Sequence, residues 1–163
     1  MIVQTTRLIR SSRETLWPLL TNSQMAAEGC FCLGVPKPVA CELPSRAGGV
    51  GVERRCVSDR GTVIQTITEW NPPERLRFHM VSTDHTWGRC LRSISEDFRL
   101  ETTSEGTRIT RVTSFEAKGF MSRIKELLFW TGLKRVHVYV FRNWRIQAEH
   151  PAGGDTPLAS SRT

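Results

Sequence analysis

The chain lacks several features that would settle its function at once. No segment of its 163 residues approaches the roughly 18 consecutive apolar residues that a membrane-spanning helix requires. The opening Met1-Ile2-Val3-Gln4-Thr5-Thr6-Arg7 has no apolar core of the kind a signal peptide carries, so the expected location is the cytoplasm. There is no Gly-x-Ser-x-Gly elbow and no glycine-rich phosphate loop. The run Gly48-Gly49-Val50-Gly51 precedes a β-rich stretch instead of opening a helix, which is the wrong context for a dinucleotide site, and it reads as a turn. No cofactor is expected.

Cysteine is scarce and odd in number: Cys30, Cys32, Cys41, Cys56 and Cys90. Without an export signal, five cysteines favour small packed thiols over a disulfide framework. Cys30, Cys32 and Cys41 invite a metal reading, but structural zinc sites show two closely spaced ligand pairs, and here one residue separates the first pair and no second pair follows. No metal site is assigned.

Acidic residues are the minority, 16 against 23 lysines and arginines, giving a net charge of +7. The excess gathers late in the chain, where Lys118, Arg123, Lys125, Lys134, Arg135, Arg142 and Arg145 stand against Glu126 alone. Such a face keeps a protein in solution or makes weak contact with anionic membrane. No nucleic-acid-binding motif accompanies it, so no nucleic-acid partner is expected.

What the chain does have is a succession of β-rich runs. Residues 63–81 form two of them around Asn71-Pro72-Pro73-Glu74; prolines cannot donate ladder hydrogen bonds, so the chain must turn there, and a β-hairpin results. Further strands are expected over 2–9, 38–43, 50–57, 88–102 and 107–116. That makes seven in all, six of them without a helix between. After the first strand, Ser11-Ser12-Arg13-Glu14 offers a capping box with Ser11 as the cap, leading into a helix that Pro18 should keep short or bent, and residues 22–28 suit a second short helix. From Phe120 the period is helical. The stripe Phe120, Ile124, Leu127, Leu128 lies about half a turn from the stripe Leu133, Val136, Val140, Trp144, which predicts a break or kink at Thr131-Gly132. Residues 1–148 form one domain large enough to bury about 70% of the surface its unfolded chain would expose, and 149–163, with little to bury, is expected to be a disordered tail.

This order of elements resembles the helix-grip fold of the START-like, or SRPBCC, superfamily, which includes birch-pollen allergens and polyketide cyclase/dehydrase-like proteins. The resemblance rests on Glu14-Thr15-Leu16-Trp17, Gly49-Val50-Gly51-Val52-Glu53-Arg54, Glu69-Trp70-Asn71-Pro72-Pro73-Glu74-Arg75-Leu76, the stretch from Phe98-Arg99-Leu100 to Gly106-Thr107-Arg108, and Lys118-Gly119 before the helix. It implies an α+β fold in which a curved antiparallel seven-stranded sheet wraps a long C-terminal helix, with two short helices after the first strand and a cavity between sheet and helix. It also implies a hydrophobic or aromatic small-molecule ligand. A polyketide cyclase/dehydratase-type enzyme using the same cavity is the alternative, and a peripheral lipid carrier the second alternative. The fold alone does not choose among them.

Alternation assigns the side chains of that cavity. Phe78, Met80 and Phe98 on the strands and Val136, His137, Val140 and Trp144 on the helix are the expected ligand contacts. If Phe98 and Leu100 face inward, so do Glu96, Ile94, Arg92 and Cys90; the same count turns Arg111, Thr113 and Arg54 inward. Charged groups cannot stay unpaired in a dry interior. Glu96, Arg92 and Arg111 are therefore the candidate catalytic set, an arginine holding a carboxylate or enolate oxygen while Glu96 exchanges a proton. The competing reading is a β-bulge that shifts the register and carries these side chains to water. His137 is either a proton carrier or a packed histidine, and Asp84-His85-Thr86-Trp87 either a lid or a plain loop.

Overall fold

The computed structural model describes residues 1–25, 33–44 and 48–150. Strand β1 (Ile2–Ile9) buries Val3, Thr5 and Ile9. Helix α1 (Arg13–Thr21) follows, capped by Ser12, whose hydroxyl accepts from the Thr15 amide at 3.2 Å. The cap thus lies one residue beyond the Ser11 expected from the capping-box pattern. Pro18 sits inside α1, and the helix ends three residues later, consistent with a short segment.

Instead of a second short helix starting at Asn22, Ser23–Gln24 form strand β2, paired with Cys41 and Ala40 of β3 (Pro38–Glu42); residues 26–28 of that expected helix lie outside the described residues. Then come β4 (Glu53–Ser58), β5 (Gly61–Asn71), β6 (Arg75–Thr83), a 3-10 helix (Thr86–Cys90), β7 (Leu91–Thr103), β8 (Gly106–Ala117) and helix α2 (Ser122–Glu149). The strands form one antiparallel sheet in the order β1-β8-β7-β6-β5-β4-β3-β2. Among the described residues its eight strands exceed the expected seven by β2, whose two residues are too few for a sequence period to register. β4 also starts three residues later than expected, because Gly51 adopts a φ of 86° in the preceding turn and Val50 lies exposed.

The proline hairpin is present as expected: β5 and β6 meet at Asn71↔Arg75, and the Glu74 amide donates to the Asn71 carbonyl at 2.8 Å. Register shifts leave Val81 of β6 extra opposite Ile64 and Gln65 and Thr68 of β5 extra between Ile67 and Glu69, and another between Leu91 and Ser93 bends the start of β7. Each inserts extra backbone on one strand and increases local twist, which curls the sheet into a half-barrel.

Helix α2 fills the concave side. At 1.5 Å per residue its 28 residues span about 42 Å, and no break occurs at Thr131-Gly132. Side chains tie it along β1: Trp130 Nε1 donates to the Ile2 carbonyl at 3.0 Å, Lys134 Nζ to the Gln4 carbonyl, and Glu149 accepts from the Arg10 amide at 3.0 Å. The change of apolar stripe therefore has another cause. Leu133, Val136, Val140 and Trp144 pack into the sheet, whereas Ile124, Leu127 and Leu128, in the first turns, are exposed. No helix among the described residues is long and apolar enough to cross a membrane. The expected tail from 151 onward lies outside the described residues, and α2 itself continues to Glu149.

Candidate functional site

Between the curled sheet and α2 lies a chamber of about 120 Å³. Its walls are mostly apolar: Phe78, Met80 and Phe98 from the sheet, Leu133, Val136, Val140 and Trp144 from α2. The aromatic rings interlock, with Phe98 at 5.9 Å from Phe78 and 5.6 Å from Trp144 between ring centroids. Of the seven expected ligand contacts, six line this chamber, and His137 does not.

Among the described residues three charged side chains line it, Arg54, Glu96 and Arg111. Alternation along β7 separates neighbouring carboxylates. Glu96 turns inward, while Asp97 turns to the outer face and is clasped by Arg75 at 3.1 and 3.0 Å and by Arg99 at 3.0 Å. Glu96 accepts a bidentate pair from Arg111, Nε to Oε2 at 2.6 Å and Nη2 to Oε1 at 2.7 Å, and a third bond from the Thr113 hydroxyl at 2.9 Å. This fork-on-carboxylate geometry is the strongest pairing two such side chains can make, and it explains how both tolerate burial.

Arg92 departs from the expected set. Its side chain is 68% exposed and pairs with Glu116 at 3.3 Å on the outside of the sheet. The reason is the bulge between Leu91 and Ser93, which puts Leu91 inside and breaks strict alternation two positions before Ile94. Cys90 likewise belongs to the 3-10 helix and not to the strand. The bulge acts on the end of β7 and spares its middle, so Glu96 and Arg111 stay in the chamber together.

His137 is fully buried behind Thr113, away from the chamber. Its Nε2 lies 2.7 Å from the Thr113 hydroxyl and its Nδ1 3.0 Å from the Thr5 hydroxyl, which also accepts from Lys134 Nζ at 2.9 Å. Hydrogen-bond bookkeeping fixes the tautomer. Thr113 gives its one hydroxyl proton to Glu96, so toward His137 it can only accept, and Nε2 must carry the ring proton. Nδ1 is then the acceptor for Thr5. The donors all point one way, from Lys134 through Thr5, His137 and Thr113 to the Glu96 carboxylate. Burial, with the positive charges of Arg111 and Lys134 adding to it, pushes the His137 pKa far below the usual histidine range, so the ring is neutral as this chain requires.

Arg54 has a different situation. It is buried on β4, and its guanidinium lies over the Phe78 ring with its central carbon 5.0 Å from the centroid. Desolvation, followed by the positive charge of Arg111, pushes its pKa down to about 10 against a weaker opposing pull from Glu96. It remains a cation at neutral pH.

Phe129 carries no sequence signal as a wall residue, and Trp87 is expected only in a lid or a plain loop. Trp87 belongs to the 3-10 helix, where the His85 ring accepts its amide at 3.0 Å, and its indole packs 6.3 Å from Phe129 of α2. Both line the chamber. Within the segment 84–87, Trp87 is part of the wall. Cys41 and Cys56, expected as free thiols, stand opposite one another on β3 and β4 with Cα atoms 4.0 Å apart and form a disulfide. Their separation of 15 residues in sequence gave no hint of that pairing. Cys90 remains a free thiol, and Cys30 and Cys32 lie outside the described residues.

Comparison with known proteins agrees with this architecture. A family model described as "Polyketide cyclase / dehydrase and lipid transport" matches residues 1–139. No curated protein matches the sequence significantly. Among solved structures, a Mesorhizobium loti protein is similar with a TM-score of 0.65 at 17% identity, covering 93% of this chain and 98% of that one. A START superfamily protein from Mycobacterium smegmatis gives 0.63 at 13% identity, covering 91% and 97%. The major latex-like protein 151 of Panax ginseng gives 0.62 at 13% identity, also covering 91% and 97%. At such identities the likeness is one of fold.

Proposed function

We propose that this chain, which belongs to the polyketide cyclase / dehydrase and lipid transport family, binds a hydrophobic or aromatic small molecule in the chamber between sheet and α2. The observation that carries the reading is the chamber itself. A sheet and a helix can bury their apolar faces by direct packing, yet here Phe78, Phe98, Val136 and Trp144 leave about 120 Å³ between them. Unfilled space in a core forfeits dispersion contacts and costs stability, and apolar cavities of about 150 Å³ take up benzene. A neutral solvatochromic dye such as Nile red should bind saturably in the micromolar range and be displaced by flat apolar compounds. Absence of saturable binding would overturn the reading.

A second reading, of the chamber as a lipid carrier's hold, is favoured by the exposed end of α2. Phe120 is 87% exposed, and Ile124, Leu127 and Leu128 continue the patch, with Lys118 and Arg123 exposed beside it. Phe129 lines the chamber while its neighbours Leu128 and Trp130 are exposed, so the patch adjoins one end of the cavity. Apolar side chains flanked by cations suit the interface of an anionic bilayer. Vesicles containing phosphatidylserine should retain the protein, less as salt rises. Equal recovery with neutral and anionic vesicles would remove this reading.

A further inference from the structure

Five buried side-chain polar atoms lack a hydrogen-bond partner among the described residues: Arg13 Nε, Ser23 Oγ, Arg54 Nε, Trp87 Nε1 and Trp144 Nε1. Four of the five, all but Arg13, belong to residues that line the chamber. Buried polar groups in folded proteins are almost always paired, and each one left unpaired costs free energy. Arg54, Trp87 and Trp144 can only donate, and Ser23 can donate as well. Unpaired donors are therefore concentrated in the side chains that build the wall of an otherwise apolar chamber. Its charges are also unbalanced. Among the described residues two cations, Arg54 and Arg111, face one anion, Glu96, and Glu96 is committed to Arg111 and Thr113. Arg54 has no ion pair among the described residues.

We propose that the natural ligand is an apolar acid, a molecule with a hydrocarbon or aromatic body and one anionic, acceptor-rich head such as a carboxylate, and that Arg54 anchors that head. The assignment rests on the ligand-binding reading above and narrows it. A carboxylate supplies only acceptors, offsets the unpaired charge of Arg54, and can take a charge-assisted bond from its guanidinium. The Glu96–Arg111 pair serves as a fixed partner beside it. It holds Arg111 in place and keeps it from competing for the ligand, so that selection falls to Arg54.

The test compares matched ligands that differ only in the head: 2-naphthoate with 2-acetylnaphthalene, and decanoate with decanol, each displacing Nile red from the full chain. At pH 7.5 the acid of at least one pair should bind about 10-fold more tightly than its neutral partner. In Arg54→Met that preference should shrink to about twofold or less while the neutral compound still binds, and Arg54→Lys should keep part of it. Removing an unpaired buried cation should also raise the melting temperature of the unliganded Arg54→Met protein by a few degrees. Equal binding of acid and neutral partner by the wild type would overturn the anionic ligand and leave hydrophobic binding standing. A preference that survives Arg54→Met would overturn Arg54 as the anchor. Failure of all four compounds to displace the dye, or of the dye to bind, would overturn both readings.

Discussion

The two ends of α2 obey opposite rules although they belong to one unbroken helix. From Gly132 to Trp144 its residues are held by the sheet: Leu133, Val136, Val140 and Trp144 face the chamber, and His137 closes a chain of hydrogen bonds to Glu96. From Ser122 to Trp130 it carries comparable apolar residues, Ile124, Leu127 and Leu128, and leaves them in solvent. The difference teaches that hydrophobicity does not assign burial; the helix face a residue occupies does. At that end Phe129 packs on Phe115 of β8 and Trp130 reaches Ile2 of β1, so the sheet still meets the helix, and Ile124, Leu127 and Leu128 stay exposed because they lie on the face turned away from it.

Substitutions can break this comparison, and the largest effect is expected at the buried end. Trp144→Ala removes an almost wholly buried indole packed on Phe98 and Phe141 and should cost about 3–5 kcal/mol, read as a lowered urea midpoint with little change in slope. An intact midpoint would mean that the chamber wall collapses onto the space.

Acid should act on the same end. His137 has its pKa lowered by burial, so below the unfolded value of 6.5 the unfolded chain takes up a proton that the folded chain refuses. Stability is therefore retained above pH 6.5 and lost as pH falls below it, by up to about 1.4 kcal/mol per pH unit. Over the window from pH 6.5 to 5 that amounts to about 2 kcal/mol, and urea titrations of wild type and His137→Gln should show the slope disappearing in the variant. The same slope in both would place the titration elsewhere.

A smaller loss, about 1–2 kcal/mol, is expected for Thr113→Val, which keeps the side chain's shape but strips the hydroxyl that joins Glu96 to His137. The accompanying nitrogen-15 spectrum should show a neutral imidazole protonated at Nε2 in the wild type; a ring protonated at Nδ1 would contradict the direction assigned to the hydrogen-bond chain. At the exposed end, Leu127→Ser with Leu128→Ser should move stability by less than about 0.5 kcal/mol per site and yet reduce retention on anionic vesicles severalfold. Substantial destabilisation there would show that this face is covered in solution.

Much of the fold was legible in the residues because its signals are local. Asn71-Pro72-Pro73-Glu74 stops one strand and starts the next whatever lies around it, and the alternation of Leu76 and Phe78 with Arg75 and Arg77 fixes which face is buried. The same alternation placed Glu96, Phe98 and Arg111 inside. It failed at Arg92 because a single bulge reverses parity, and a bulge answers to strand pairing and not to composition. It was silent on Trp87 and Phe129, which meet only after the chain has closed.

The sequence by itself determined the order of the elements, the turns between them and the sidedness of the central strands, since these depend on proline, glycine and the two-residue period of a strand. Only the tertiary structure decided the pairing of Glu96 with Arg111, the partnerless Nε of Arg54, the link from His137 to Thr113 and the exposure of the first turns of α2. Those outcomes depend on which residues far apart in the chain come within about 3 Å of one another, and hydrogen bonding over such distances is settled by register and curvature, which no local pattern records.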